Sequence, residues 1–194
     1  MRKVLGMLTA FMAVMMLVAC EGDRELDFRS VLDVDSGTIL RLGDSLSDFE
    51  AVLGAGISAE YEWLEENEGI TAYYFSDGVL YVIFLEEEAV VVVQTEASSR
   101  FQFKDMSFDM TLAEIRASFT KHDLPDDEMP FYFYDRFYDL RGRKVSNHED
   151  ARYQMGVIYV TDEWFGEGVF SLQLLISGWN DDIVWDTDGV DENE

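Results

Sequence analysis

The chain has 194 residues, 40 of them acidic and 14 basic, for a formal net charge of −26. That balance repels nucleic acid and anionic lipid, and leaves cations and basic proteins as natural partners. A single cysteine excludes an intrachain disulfide, so stability must come from packing alone.

Arg2 and Lys3 precede an uncharged apolar run from Val4 to Val18. Its fifteen residues are too few for a membrane span, which needs roughly 20, and they fit a secretory signal. The run ends in Leu17-Val18-Ala19-Cys20, which resembles a bacterial lipobox with Cys20 as the lipidated first residue of the mature protein. Ordinary cleavage near Ala19, leaving a free thiol, is the alternative. By resemblance to Gram-negative lipoproteins, Glu21 in place of Asp after the cysteine implies the outer membrane; in another envelope type the anchor would place the chain on the outer face of the cell membrane. The segment removed, residues 1–19, carries two basic residues and no acid, so the net charge becomes −28 over 175 residues. That length suffices for one domain with a proper core, or for two small ones sharing a sheet.

Residues 20–37 read as an acidic tether, docking as a short strand at its far end. Ile39–Leu42 then form a short strand that bends at Gly43-Asp44. Ser45 and Asp48 have the spacing of a capping box, with Leu46, Phe49, Val52 and Leu53 on one helical face and Gly54 as the stop. The pattern returns 66 residues later, with Thr111 and Glu114 as the box and Leu112, Ile115 and Phe119 as the apolar face. In the first copy, residues 38–96, an acidic connection anchored by Tyr61, Trp63 and Leu64 leads to strands at 71–76, 79–85 and 89–95. Asp77-Gly78 is a hairpin signal, and the last two strands are apolar at nearly every position, as central strands covered on both faces are. In the second copy, residues 101–177, a lead-in strand at 101–108 and the helix precede strands at 131–140, 153–161 and 168–177. Residues 178–194 form an acidic tail.

This order, with a Ser/Thr-x-x-acid helix start and three antiparallel strands per unit, resembles two groups of exported bacterial proteins. One is the outer-membrane assembly lipoprotein of the BamE type; the other is the β-lactamase inhibitor protein, with two such units in tandem. The resemblance covers residues 38–177. It implies an α+β fold of two tandem repeats, each a helix plus a three-stranded antiparallel sheet, packed as one layered α/β unit. It also implies a binding, scaffold or inhibitor role for the sheet face, and no catalysis.

Motifs for chemistry are sparse. Gly54-Ala55-Gly56-Ile57-Ser58-Ala59 has the letters of a dinucleotide fingerprint but follows a helix instead of a strand. His122 and His148, the only imidazoles, lack metal-ligand spacing, and no Gly-x-Ser-x-Gly elbow exists. Asp186-Thr187-Asp188-Gly189 overlays part of an EF-hand loop, but Val184 stands at its first position and the chain lacks the closing Glu. With 40 acids, paired carboxylates occur by chance. No enzyme, cofactor or metal is expected. The remaining signal is aromatic: Tyr74, Tyr132 and Tyr134 are the candidate anchors on an open sheet face for a basic protein partner. The competing expectation is a passive envelope lipoprotein whose acidity is adaptation to salt.

Overall fold

The computed structural model describes residues 25–61, 63–64, 67–121, 131–146, 148–162 and 166–179. Cys20, His122 and the EF-hand-like stretch lie outside them.

The first capping box forms as its spacing requires. The Ser45 N–H donates to Asp48 Oδ2 at 3.0 Å and the Asp48 N–H to Ser45 Oγ at 3.2 Å, which starts α1 (Leu46–Leu53). The Thr111 N–H donates to Glu114 Oε2 at 2.8 Å and the Glu114 N–H to Thr111 Oγ1 at 3.3 Å, starting α2 (Leu112–Ser118). Each box satisfies two otherwise orphaned donors. These bonds also hold the Asp48 and Glu114 carboxyls below their usual range.

The strands lie within two residues of the sequence pattern, at β4 (Ile70–Phe75), β5 (Leu80–Leu85), β6 (Glu88–Gln94), β9 (Phe131–Tyr138), β11 (Tyr153–Asp162) and β12 (Gly166–Ile176). They form two antiparallel meanders joined where β12 pairs with β6, Leu172 opposite Gln94 and Leu174 opposite Val92. The short strands β3 (Ile57–Ser58), β8 (Thr120–Lys121) and β10 (Lys144–Val145) pair at the flanks and complete a nine-stranded sheet.

The expectation of two layered helix-plus-sheet repeats is corrected here. The described chain is mostly β: the nine-stranded sheet, a separate three-stranded sheet, and helices of only 8 and 7 residues. The reason is area. α1 buries Phe49 and α2 buries Ile115, and neither helix can cover a multi-stranded face. The cover comes instead from β1 (Ser30–Asp33), flanked by β2 (Thr38–Arg41) and β7 (Phe101–Phe103). The segment read as a tether thus contributes the central strand of the second sheet. Val31, Leu40, Phe101 and Phe103 descend from it onto Val82, Phe84, Val92, Met155, Val157 and Leu172, which makes the main core. Phe49 sits edge-on to Phe84, with ring centroids 5.5 Å apart.

The Gly43-Asp44 bend ties the two sheets together. The Gly43 N–H donates to the Ala89 carbonyl at 2.8 Å, and the Ala89 N–H to the Asp44 carbonyl at 2.9 Å. A bulge in the β5–β6 ladder at Ile83/Phe84 leaves Val90 as the extra residue, so Val90 and Val91 both join a second apolar cluster on the opposite face of the sheet.

Candidate functional site

That opposite, outer face is where the sequence-predicted aromatics divide. Along β9, Tyr132, Tyr134, Arg136 and Tyr138 point to the main core side, because side chains alternate along a strand. Tyr134 is 1% exposed, and its hydroxyl finds no hydrogen-bond partner among the described residues. Tyr132 is half-buried against the same core, with Lys121 Nζ 4.7 Å from its ring centre. Tyr74 faces the other way. The three tyrosines therefore form no common surface, and Tyr134 is no surface anchor. The sequence could not show this, because Phe131 to Tyr134 is aromatic at both parities and either face could be the inner one.

On the outer face, Tyr74 belongs to a cluster the sequence only partly announces. The Ala59 N–H donates to the Ala72 carbonyl at 2.8 Å, bringing the acidic connection back across β4. Trp63 and Leu64 then pack on Ala72, Ile83, Val90 and Val91. The Tyr61 and Tyr74 hydroxyls hydrogen-bond to each other, and the Tyr74 ring lies 4.9 Å from that of Tyr81. The bond to Tyr61, aided by burial, pushes the Tyr74 phenol up to about 12. Burial raises Tyr81 as well, with Tyr61 and Tyr74 adding to it. The Tyr74 and Tyr81 phenols are therefore neutral at physiological pH. Tyr61 remains 42% exposed at the edge of this cluster.

The cluster ends in a groove of about 560 Å³ at one end of the sheet. Ile70, Leu85, Val90 and Ile176 form its floor and Trp179 one wall. Glu68, Glu86, Glu88 and Arg152 stand around it, all exposed. Glu86 is carried on the tight β5–β6 turn, whose position is fixed by the Glu86 N–H donating to the Gly69 carbonyl at 2.9 Å. Arg152 makes no ion pair with a described residue, so the carboxylates outnumber the cation three to one. The groove assembles from four strand ends and a tryptophan beyond β12. The one sequence signal for it is the unbroken apolar run of β6, which requires cover on both faces.

A smaller cavity of about 350 Å³ lies where β6 and β12 meet the β7 segment, lined by Phe101, Met106, Phe108 and Leu172. Gln94 borders it, 1% exposed, its amide donating to the Glu96 carbonyl at 2.8 Å and the Ser98 carbonyl at 3.4 Å. Among the described residues, no group of three or more His, Cys, Asp or Glu could hold a metal ion, and no helix is long and apolar enough to cross a membrane. His148 is exposed on the loop after β10. No family model, curated protein or solved structure matches this chain.

Proposed function

We propose that this chain is a lipid-anchored protein of the cell envelope that binds a basic protein through the outer face of its large sheet, without catalysis. The observation that carries this reading is the outer-face cluster of Tyr61, Trp63, Tyr74 and Tyr81, which is apolar and aromatic and runs into an open, carboxylate-lined groove. Aromatic rings on a rigid sheet supply contact area at low conformational cost, and the net charge of −26 steers a basic partner toward them. The anchoring half of the reading is supported by Leu17-Val18-Ala19-Cys20.

The test is site-specific photo-crosslinking in intact cells, with a benzophenone side chain at Tyr61 and, as a remote control, at Glu50 on the exposed side of α1. A crosslink to one basic protein from position 61, absent from position 50 and weakening as salt rises, is the expected result. Cys20→Ser should move the protein out of the membrane fraction. Equal crosslinking from both positions, or none from Tyr61, would overturn the binding role and leave a passive envelope protein.

A further inference from the structure

The groove beside Trp179 has a chemistry that can be matched to one kind of side chain. Its floor is aliphatic, and Ile70 and Val90 are nearly inaccessible beneath it. Its rim is anionic, with carboxylates arriving from Glu68 on one segment and from Glu86 and Glu88 on another. An occupant must therefore be apolar along its length and cationic at its end. Lysine has that construction: its four-carbon stem lies along apolar surface while the charged head reaches polar surroundings. A compact ammonium with freely rotating donors can be shared among carboxylates that come from separate segments. We propose that this groove seats a lysine side chain of the basic partner, its stem along Ile70, Leu85 and Val90 and its ammonium among the three glutamates. This rests on the reading of the chain as a binder of a basic protein, and it assigns the contact that selects the partner. Arg152 is the opposing element: the one basic side chain at the rim among the described residues, it repels the incoming ammonium and tempers the affinity.

The probe is a labelled ten-residue peptide of alternating lysine and serine, compared with the same peptide carrying 2,4-diaminobutyrate in place of lysine. At about pH 6.5 both peptides are fully charged, but the second has a stem two methylenes shorter. If the stem is seated, the lysine peptide binds roughly fivefold tighter, because part of two methylenes leaves water. Glu86→Gln with Glu88→Gln weakens the lysine peptide by roughly fivefold, whereas the charge-matched pair Glu50→Gln with Asp109→Asn changes it by less than about twofold. Arg152→Ala tightens it. Equal affinity for the two peptides, or equal loss in both charge-neutralised pairs, overturns the assignment and reduces the attraction to net charge. In that case a Tyr61 crosslink to a basic protein still stands, so a failure of the groove is separable from a failure of the sheet-face reading.

Discussion

Arg100 Nε donates to Asp33 Oδ1 across 2.8 Å, joining β1 to the segment that enters β7, 67 residues along the chain. Asp33 is 1% exposed. Burial alone would push its carboxyl up, but the Arg100 bond and charge, together with hydrogen bonding from Ser36, outweigh that and hold it below the ordinary range. A carboxyl lowered by folding stabilises fully above its unfolded value of about 3.9, and that contribution is lost as pH falls through the lower, folded value. Arg100→Met should cost about 2–3 kcal/mol near neutral pH, since it strands a buried carboxylate. It should also weaken that dependence, because burial then opposes the charged carboxyl with only Ser36 left to hold it down. Urea midpoints of the two proteins, read as a difference between pH 3 and pH 7, check this; the general relief of acidic repulsion cancels. A constant difference across that range would mean the pair does not form.

The capping boxes make a second expectation. Ser45→Ala and Thr111→Ala should each lower stability by about 0.5–2 kcal/mol, the ordinary loss of an N-cap acceptor. Ser45→Asp should hold most of it, as an aspartate accepts the same N–H and suits a helix start. An unchanged denaturant midpoint in both alanine variants would show that these boxes do not anchor the helices.

What the sequence made legible was local. Caps announce themselves by spacing, and the strands of both meanders by apolar runs and turns, so their positions came out within two residues. The three-stranded sheet did not, because Val31 meets Phe103 across more than seventy positions and nothing in either segment names the other. Once those strands form a second sheet, the helices lose the role of cover, which is why the layered expectation failed. The site was less legible still. Tyr74 and Tyr134 differ in face by the parity of a pleat, and the groove draws Ile70, Leu85, Val90, Ile176 and Trp179 from five places.

Tyr134 offers a direct check on which face is inner. Its hydroxyl is buried with no partner among the described residues, and such a group carries a desolvation penalty without return. Tyr134→Phe should therefore leave stability unchanged or raise it by up to about 1 kcal/mol. Tyr134→Ala should cost about 3–5 kcal/mol, the usual result of emptying a buried aromatic site. A marked loss in the phenylalanine variant would reveal a bond to the hydroxyl; tolerance of alanine would put the ring on the surface.

The turn between β5 and β6 holds Glu86 at φ 50° and Glu87 at φ 72°, between the paired residues Leu85 and Glu88. Positive φ at both central residues is the geometry of a type I′ hairpin, where Asn-Gly is the unstrained choice. Glu87 stands outside the groove, so Glu87→Gly should relieve strain there and stabilise the protein by about 1 kcal/mol. Glu87→Ala retains a Cβ in the left-handed region and should show little of that gain. Equal effects from glycine and alanine in thermal unfolding would assign the change to lost charge instead of backbone conformation.

Gly142, in the β9–β10 turn, has φ +75°, and a Cβ there would come 2.6 Å from Phe28 Cε1. Phe28 in turn stacks on Tyr138 with centroids 4.5 Å apart and lies 5.5 Å from Tyr153, so it fastens the chain ahead of β1 to the far end of the large sheet. Gly142→Ala then suffers twice. The left-handed backbone disfavours any Cβ by about 1–2 kcal/mol, and displacing the Phe28 ring adds about 1–3 kcal/mol of overpacking. Phe28→Ala alone forfeits the stacking, but it also removes the atom with which the new methyl collides. In the double variant the collision term vanishes and only the backbone term is added to the Phe28 loss. The double variant should therefore be more stable than the sum of the single effects predicts, by about 1 kcal/mol or more, as expected of residues in contact. Urea unfolding of the four proteins measures that coupling. Strict additivity would mean that Phe28 does not rest against this turn, and that the segment before β1 is held to the sheet by Arg29, whose guanidinium lies 5.5 Å from the Tyr153 ring centre, instead.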